Sequence, residues 1–311
     1  MSRRIVSLLP GATEIVAALG LGDQLVGISA ECDEPPALMD RPRVSLAALD
    51  TTETDPAAID REVRDRLARG APLFQADPDA LKALNPDLIL SQSLCDVCAA
   101  TPASLTAEAI GDASVLALDG RDLDGLLEDI RQVAAAAWVE ERGRQLIASL
   151  NRRRRAIAAS RGDRPRVLAV EWPEPLFVGG HWVPDMIVSA GGQPLNAPGD
   201  HSVVIDWDEV RAVAPSHILV LPCGQSLAGA QAGLARLQQH PGWSQLPAVQ
   251  RGEVHLLDGN RFFSRPGPAA ITGLEIIAHL LGTGPTTDPA PGGWRRATPA
   301  EITPAASTAT E

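Results

Sequence analysis

An α/β fold of two lobes, each a mainly parallel sheet flanked by helices and the two joined by one long helix, follows from three observations. Short apolar runs such as "RIVSLL" and "DLILS" alternate with helical segments in the first part of the chain, the order of strand and crossover in a parallel sheet. From Leu123 to about Ser160 the alternation gives way to a helical stretch rich in Ala, Leu, Glu and Arg, whose turn residues are Gly125 and Gly143 alone. Beyond Pro165 the alternation resumes. The chain therefore reads as an amino-terminal lobe (residues 1–121), a helical region with the bridging helix (122–164), a carboxy-terminal lobe (165–282) and a tail (283–311). A length of 311 residues with 45% hydrophobic content suffices for two cores. The tail of Pro, Thr, Ala and Gly has little to bury and is expected to be disordered.

Taken in order, "RIVSLL" reads as a buried strand, and "PGATEIVAALG" after it as a turn and helix with Thr13 at the N-cap and Gly20 as the stop. "QLVGIS" is a second strand, closed by Pro35 and Pro36 after "AECDE". In "DPDALKALNPDLILSQS", Asp77 opens a short helix, Asn85 and Pro86 break it, and a strand follows; "SVLALD" supplies the next. The second lobe repeats the pattern with "RVLAVEW", "LFVGG", the helix "VPDMIVSAGG", "HILVLPCG", "EVHLLDGN" and a last helix from about Pro268 to Leu281.

The formal charge of −12, with Lys82 the one lysine, argues against a nucleic-acid partner. The run Arg152–Arg155 lies in a helical pattern and reads as a solvated face. No apolar stretch approaches the roughly 18 residues of a membrane helix, and "IVSLL" is too short for a secretory signal, so neither insertion nor export is expected. A cytoplasmic monomer is the simplest expectation, and a periplasmic one if an upstream signal was omitted.

Four cysteines stand at predicted strand ends: Cys32 after "VGISAE", Cys95 and Cys98 in "LILSQSLCDVC", and Cys223 after "ILVLP". Ligands of open parallel sheets bind beyond the carboxyl ends of strands, so facing lobes would aim these thiols into one cleft. Three readings stay open for Cys95 and Cys98: small residues at a helix start, a redox dithiol, or, with Cys32 and Cys223, a four-thiolate zinc or iron–sulfur site.

Tyr is absent and most Trp and Phe fall in predicted loops of the second lobe. Trp172 and Trp182 flank strand ends and suit a large flat ligand, whereas Trp243 in "HPGWSQLP" suits a loop anchor. Nearby polar candidates are Glu31 and Asp33 around Cys32, Glu171 before Trp172, His181 as ligand group, acid–base group or helix cap, and Asn260 and Arg265 in "DGNRFFSRPGP". An Arg265 guanidinium would suit an amide, carboxylate or phosphate edge, or the open surface. No Gly-x-Ser-x-Gly elbow, phosphate loop or His-Glu-x-x-His helix accompanies them, which favours binding over catalysis.

The segments "RIVSLLPGATEIVAALGLGDQLVGISAECDEP", "LNPDLILSQ", "LFVGGHWVPDMIVSAGG", "GDHSVVIDWDEV", "HPGWSQLPAVQRGEVHLLDGN" and "RPGP" resemble, across residues 3–282, the cobalamin-type periplasmic substrate-binding proteins of ABC transporters. The resemblance implies two α/β lobes bridged by a rigid helix and a ligand cleft between them. It also implies a cobalamin-like corrinoid or another metal chelate as ligand, and an ABC permease as partner. By the same likeness the ligand-facing positions are Pro10, Thr13, Glu31, Asp33, Glu171, Trp172, His181, Trp182, Asn260 and Arg265. With no visible export signal and with cysteines at strand ends, the chain is expected to form a non-exported sub-branch. The alternative is a cytoplasmic metalloprotein or redox enzyme built on Cys32, Cys95, Cys98 and Cys223.

Overall fold

The structure is a computed structural model that describes residues 3–48, 55–94, 101–102, 105–157 and 164–303. It divides into two compact units. The first runs up to Arg152 and includes Arg265–Pro268; the second holds Arg153–Ser264 and the chain from Ala269 onward. The expected helical region is thus shared between units, and a tetrapeptide late in the sequence belongs to the first.

In the first unit, β1 (Ile5–Ser7), α1 (Pro10–Ala18), β2 (Leu25–Gly27), β3 (Ser45–Ala47), α2 (Pro56–Ala68), β4 (Phe74–Ala76), α3 (Pro78–Leu84), β5 (Leu88–Gln92), α4 (Ala107–Ile110) and β6 (Ser114–Leu118) follow in order. The parallel sheet runs β2-β1-β5-β6, and β3 pairs antiparallel with β4. β1 and β5 are buried along their whole length, which is why each opens on consecutive apolar residues, Ile5 and Val6 in one and Leu88, Ile89 and Leu90 in the other, before its polar end. Val6, Leu8, Val44, Leu81 and Ile89 form a core beneath α3 and α4. Pro10 opens α1 after the extended Leu9, since a proline at the first helical position lacks only an N–H that would be unpaired there. Thr13 sits inside α1, not at its cap. Asp77 does cap α3, accepting from the N–H groups of Asp79 and Ala80, and Asn85 ends it in the left-handed region at φ 42°.

The expected single bridging helix is two helices, α5 (Leu123–Ala136) and α6 (Glu140–Arg155). The chain turns at Trp138, with φ 58°. The N–H groups of Trp138 and Val139 bond the carbonyls of Ala135 and Ala134 at 3.1 and 2.8 Å, satisfying the end of α5. Gly143 is required by this corner, because a Cβ there would lie 2.5 Å from the Ala134 Cβ. Trp138 stays exposed under the Arg3 guanidinium, 4.1 Å from its ring centre.

The second unit contains β7 (Arg166–Pro173), β8 (Leu176–Val178), α7 (Trp182–Ser189), β9 (Gln193–Pro194), β10 (Val203–Val204), α8 (Trp207–Val213), β11 (His217–Val220), α9 (Leu227–Leu237), α10 (Pro247–Gln250), β12 (Val254–Leu257), α11 (Gly259–Phe262), α12 (Ala269–Leu280), β13 (Trp294–Arg296) and α13 (Pro299–Ile302). Its sheet runs β10-β8-β7-β11-β12-β13, with β9 beside β7. The central strands β7, β11 and β12 are parallel, whereas β8, β10 and β13 are antiparallel. Leu168, Val170, Ile218, Val220, Leu234, Trp243 and Leu256 belong to one core. Trp243 is the expected anchor: it is buried, and its indole N–H donates to the Ile302 carbonyl at 2.9 Å.

The tail expected to be disordered is structured over its described residues as far as Thr303. β13 adds an edge strand to β12, and Ala297 and Ile302 enter the core. Arg295 pairs with Glu301 at 2.7 Å and Arg296 with Glu253 at 2.8 Å. Few apolar groups suffice here because the sheet edge supplies backbone partners.

His255 on β12 is 1% exposed and its Nε2 lies 3.2 Å from a Glu253 carboxylate oxygen. Burial pulls the imidazole down to about 4, against the attraction of Glu253. The unfolded chain therefore takes up this proton first as pH falls, and stability is lost between the unfolded value of 6.5 and the folded one near 4. From pH 7 to 5 the wild type should lose about 2 kcal/mol more than His255→Gln in urea unfolding. Equal losses would remove His255 as the source.

Candidate functional site

Parallel strands deliver their carboxyl ends to one edge, so the candidate residues are found along that edge of each sheet. In the first unit a chain of hydroxyls lies under it. The Ser7 hydroxyl donates to the Leu9 carbonyl at 2.8 Å, and Thr13 donates to Ser7 Oγ at 2.9 Å. Cys32 Sγ is 3.1 Å from Thr13 Oγ1 and 3.4 Å from Ser29 Oγ. With the Thr13 proton committed to Ser7, the Thr13 oxygen is left to accept from the thiol, and Cys32 is buried. Arg43 holds the same turn through the carbonyls of Ser29 and Cys32, at 2.8 and 2.6 Å. Glu31 is half-buried beside it; burial and then Asp33 push its carboxyl up, while Arg43 and Arg265 pull it down.

Arg265 is 2% exposed. Its guanidinium pairs with Glu14 on α1 at 3.4 Å and with the Asp33 carboxylate. A Cβ on Gly11 would stand 2.5 Å from the Pro266 carbonyl oxygen, so the "RPGP" segment lies directly against the start of α1. Arg265 thus pins this segment inside the first unit instead of presenting an open fork to a ligand.

In the second unit the ends of β7, β11 and β12 bring Glu171, Cys223 and Asn260 to one edge. The Cys223 N–H donates to the Glu171 carbonyl at 2.9 Å, and the Asn260 N–H to the Gln225 carbonyl at 2.9 Å. One Glu171 carboxylate oxygen accepts from the Gly180 N–H at 3.2 Å and the other from the Ser202 hydroxyl at 2.8 Å. Burial pushes this carboxyl up, and those two hydrogen bonds hold it back. Trp172 pairs with Phe177 across the β7–β8 hairpin.

His181 precedes α7 with φ 55° and ψ −118°, and its side chain makes no capping bond to the helix. That backbone state costs an ordinary residue about 1–3 kcal/mol and needs support from its surroundings. Its ring meets His201 edge-on at 5.2 Å and tilts toward Trp182 at 5.8 Å. Trp182, expected to offer its indole to a ligand, is 5% exposed and donates that N–H to the Phe263 carbonyl at 2.8 Å. It is an anchor for α7.

Glu171, His181, Cys223 and Asn260 are therefore gathered on one sheet edge, and Pro10, Thr13, Glu31, Cys32 and Asp33 on another, while Trp182 and Arg265 turn inward. Cys95 and Cys98 lie outside the described residues. Among the described residues no three His, Cys, Asp or Glu side chains are grouped as a metal site would need. Ser202, His201 and Glu14 were not singled out from the sequence; Ser202 and His201 stand in the quoted "GDHSVV", but nothing local links them to Glu171. One surface hollow lies along the end of α2, lined by Glu62, Asp65, Arg66, Arg69 and Ala71, and a second, with Arg166, Gln193, Pro194 and Leu195, at the opening end of β7.

Residues 5–260 match the model of a family described as periplasmic binding protein. Over 295 residues the chain is 23% identical to the ABC transporter substrate-binding lipoprotein YvrC of Bacillus subtilis (strain 168), covering 90% of this chain and 80% of that protein. A 44-residue stretch is 50% identical to the vitamin B12-binding protein of Vibrio cholerae, 14% of this chain and 16% of that one. Among solved structures, an ABC transporter substrate-binding protein from Listeria monocytogenes EGD-e superposes with a TM-score of 0.68 at 19% identity, covering 90% of this chain and 98% of that one. The apo haem-binding protein RhuT from Roseiflexus sp. RS-1 gives 0.67 at 24%, covering 90% and 98%. The vitamin B12-binding protein BtuF of Vibrio cholerae gives 0.58 at 20%, covering 90% and 96%. These likenesses establish the α/β fold.

Replacing Arg265 with Ala should cost ~2–4 kcal/mol in chemical denaturation, the range for breaking a buried pair discounted for the half-exposed Asp33. A stability loss below about 0.5 kcal/mol would contradict the anchoring role.

Proposed function

We propose, from the fact that this chain belongs to the periplasmic binding protein family, that it is the substrate-binding component of an ABC-type transport system and takes a cobalamin-like corrinoid as its ligand. The observation that carries the ligand is the 44-residue stretch in which half the residues are identical to a vitamin B12-binding protein. The chemistry of the sheet edges is consistent with it. Trp172 and His181 keep partly exposed aromatic surface in the second unit, and Glu31 and Asp33 offer hydrogen-bond acceptors in the first. A corrinoid, broad, flat and fringed with amides, suits such a mixture of ring surface and acceptors.

With Tyr absent, a chelated metal would be met here by His, Cys, Met or a carboxylate. His181 and His201, with rings 5.2 Å apart, are the candidates in the second unit. The small molecule is cargo, so no catalytic residue is assigned.

An ABC permease is the partner that this role requires. The Bacillus relative is a lipoprotein, which favours work outside the cytoplasm. The cytoplasmic expectation is not carried forward. Among the described residues no helix is long and apolar enough to cross a membrane.

Calorimetric titration of the full chain with cyanocobalamin and hydroxocobalamin tests this reading. One-to-one binding with a Kd on the order of 1 μM or tighter is expected. Absence of binding to both at that concentration would overturn the ligand assignment, and binding of haem alone would replace it.

A further inference from the structure

The loop after β9 and the turn before α7 are held together from several directions. The His181 N–H donates to the Asp200 carbonyl at 2.6 Å, and the Gly199 N–H returns a bond to the His181 carbonyl at 2.9 Å. Asn196 reinforces the loop by donating its side-chain N–H to the His201 carbonyl at 2.8 Å. The two segments touch so closely that a Cβ on Gly180 would lie 2.2 Å from the Ser202 backbone nitrogen. Beyond the crossing, β10 pairs with β8 through Val203 and Val178.

One carboxylate binds both sides of this crossing. Glu171 receives the Gly180 N–H on one oxygen and the Ser202 hydroxyl on the other. Gly180 immediately precedes His181, and Ser202 immediately follows His201. Neither histidine touches Glu171 in these bonds, yet each is covalently next to a residue that does. We propose that Glu171 is a positioning residue, a latch that clamps the residue 199–202 loop onto Gly180 and so fixes how His181 and His201 are presented to the ligand.

This assignment differs from the ligand contact expected for Glu171 from the sequence. Both carboxylate oxygens already have donors, and the site around them is closed enough for burial to push the carboxyl up. It also accounts for the backbone of His181. A non-glycine residue at φ 55° and ψ −118° persists where its neighbours over-determine it, and the latch supplies the bond on the residue just before it. The effect on ligand affinity rests on the function proposed above; the latch itself does not.

Glu171→Ala, Glu171→Gln and Ser202→Ala in the full chain, with the Glu171→Ala/Ser202→Ala double variant, separate the two. In ligand-free protein, amide exchange at Gly180, His181 and Gly199 should quicken at least about tenfold in Glu171→Ala, with Glu171→Gln intermediate because its amide oxygen rescues one bond. Ile218 and Leu219 in β11 should keep their protection. The double variant should exchange no faster than Glu171→Ala, since both substitutions break one linkage. Cobalamin affinity should fall in the same order.

Unchanged exchange at the three amides would overturn the proposal, as would equal loss of protection in β11 or independent effects of the two substitutions. If Glu171→Ala does not fold, Glu171→Gln and Ser202→Ala decide by the same local exchange. If wild-type protein binds no cobalamin, the ligand reading fails while the exchange pattern still judges the latch.

Discussion

Parallel pairing of strands is the constraint on which the rest of this structure depends. It sends every carboxyl end to the same edge and forces the chain to return through helices packed on the faces. The strands must then be apolar on both sides, and polar groups are pushed to the strand ends. Ser7, Ser29, Ser91 and Gln92 are buried at that edge in the first unit, Ser7 closing β1, Ser91 and Gln92 closing β5, and Ser29 two residues after β2. In the second unit Glu171, Cys223 and Asn260 occupy the equivalent position. Chemistry collects there because there is nowhere else in such a sheet for it to go.

Burying polar groups at an edge costs least where they are paired, and the two units pair most of theirs differently. The first uses a relay from Cys32 through Thr13 and Ser7 to a backbone carbonyl, beside the Arg265 pairs with Glu14 and Asp33. The second uses a single carboxylate, Glu171, as the hub for a backbone N–H and a hydroxyl. Burial pushes the Glu171 carboxyl up, and its two donors pull it back.

Much of the fold could be read from the sequence where local signals carried it. Asp77 and Asn85 bracket α3 as expected, and the apolar starts of β1 and β5 are covered on both faces. The corner at Trp138 was illegible, since "AAAAWVEERG" has no breaker before Gly143 and the turn is made by a tryptophan packed near Arg3. The tail was misread because composition does not reveal a vacant sheet edge. At the site, the strand ends were legible but the partners were not. Arg265 finds Glu14 and Asp33 across 251 and 232 residues. Trp182 likewise spends its indole on Phe263 far along the chain, and nothing in "GHWVP" says so.

The central claim is that the edges of this family fold serve a corrinoid. Native mass spectrometry of the full chain mixed with equimolar cyanocobalamin and haem tests it most directly, because both ligands compete in one sample and differ in mass. The account predicts a one-to-one cobalamin adduct as the dominant species. A haem adduct alone, or protein carrying neither, would contradict it.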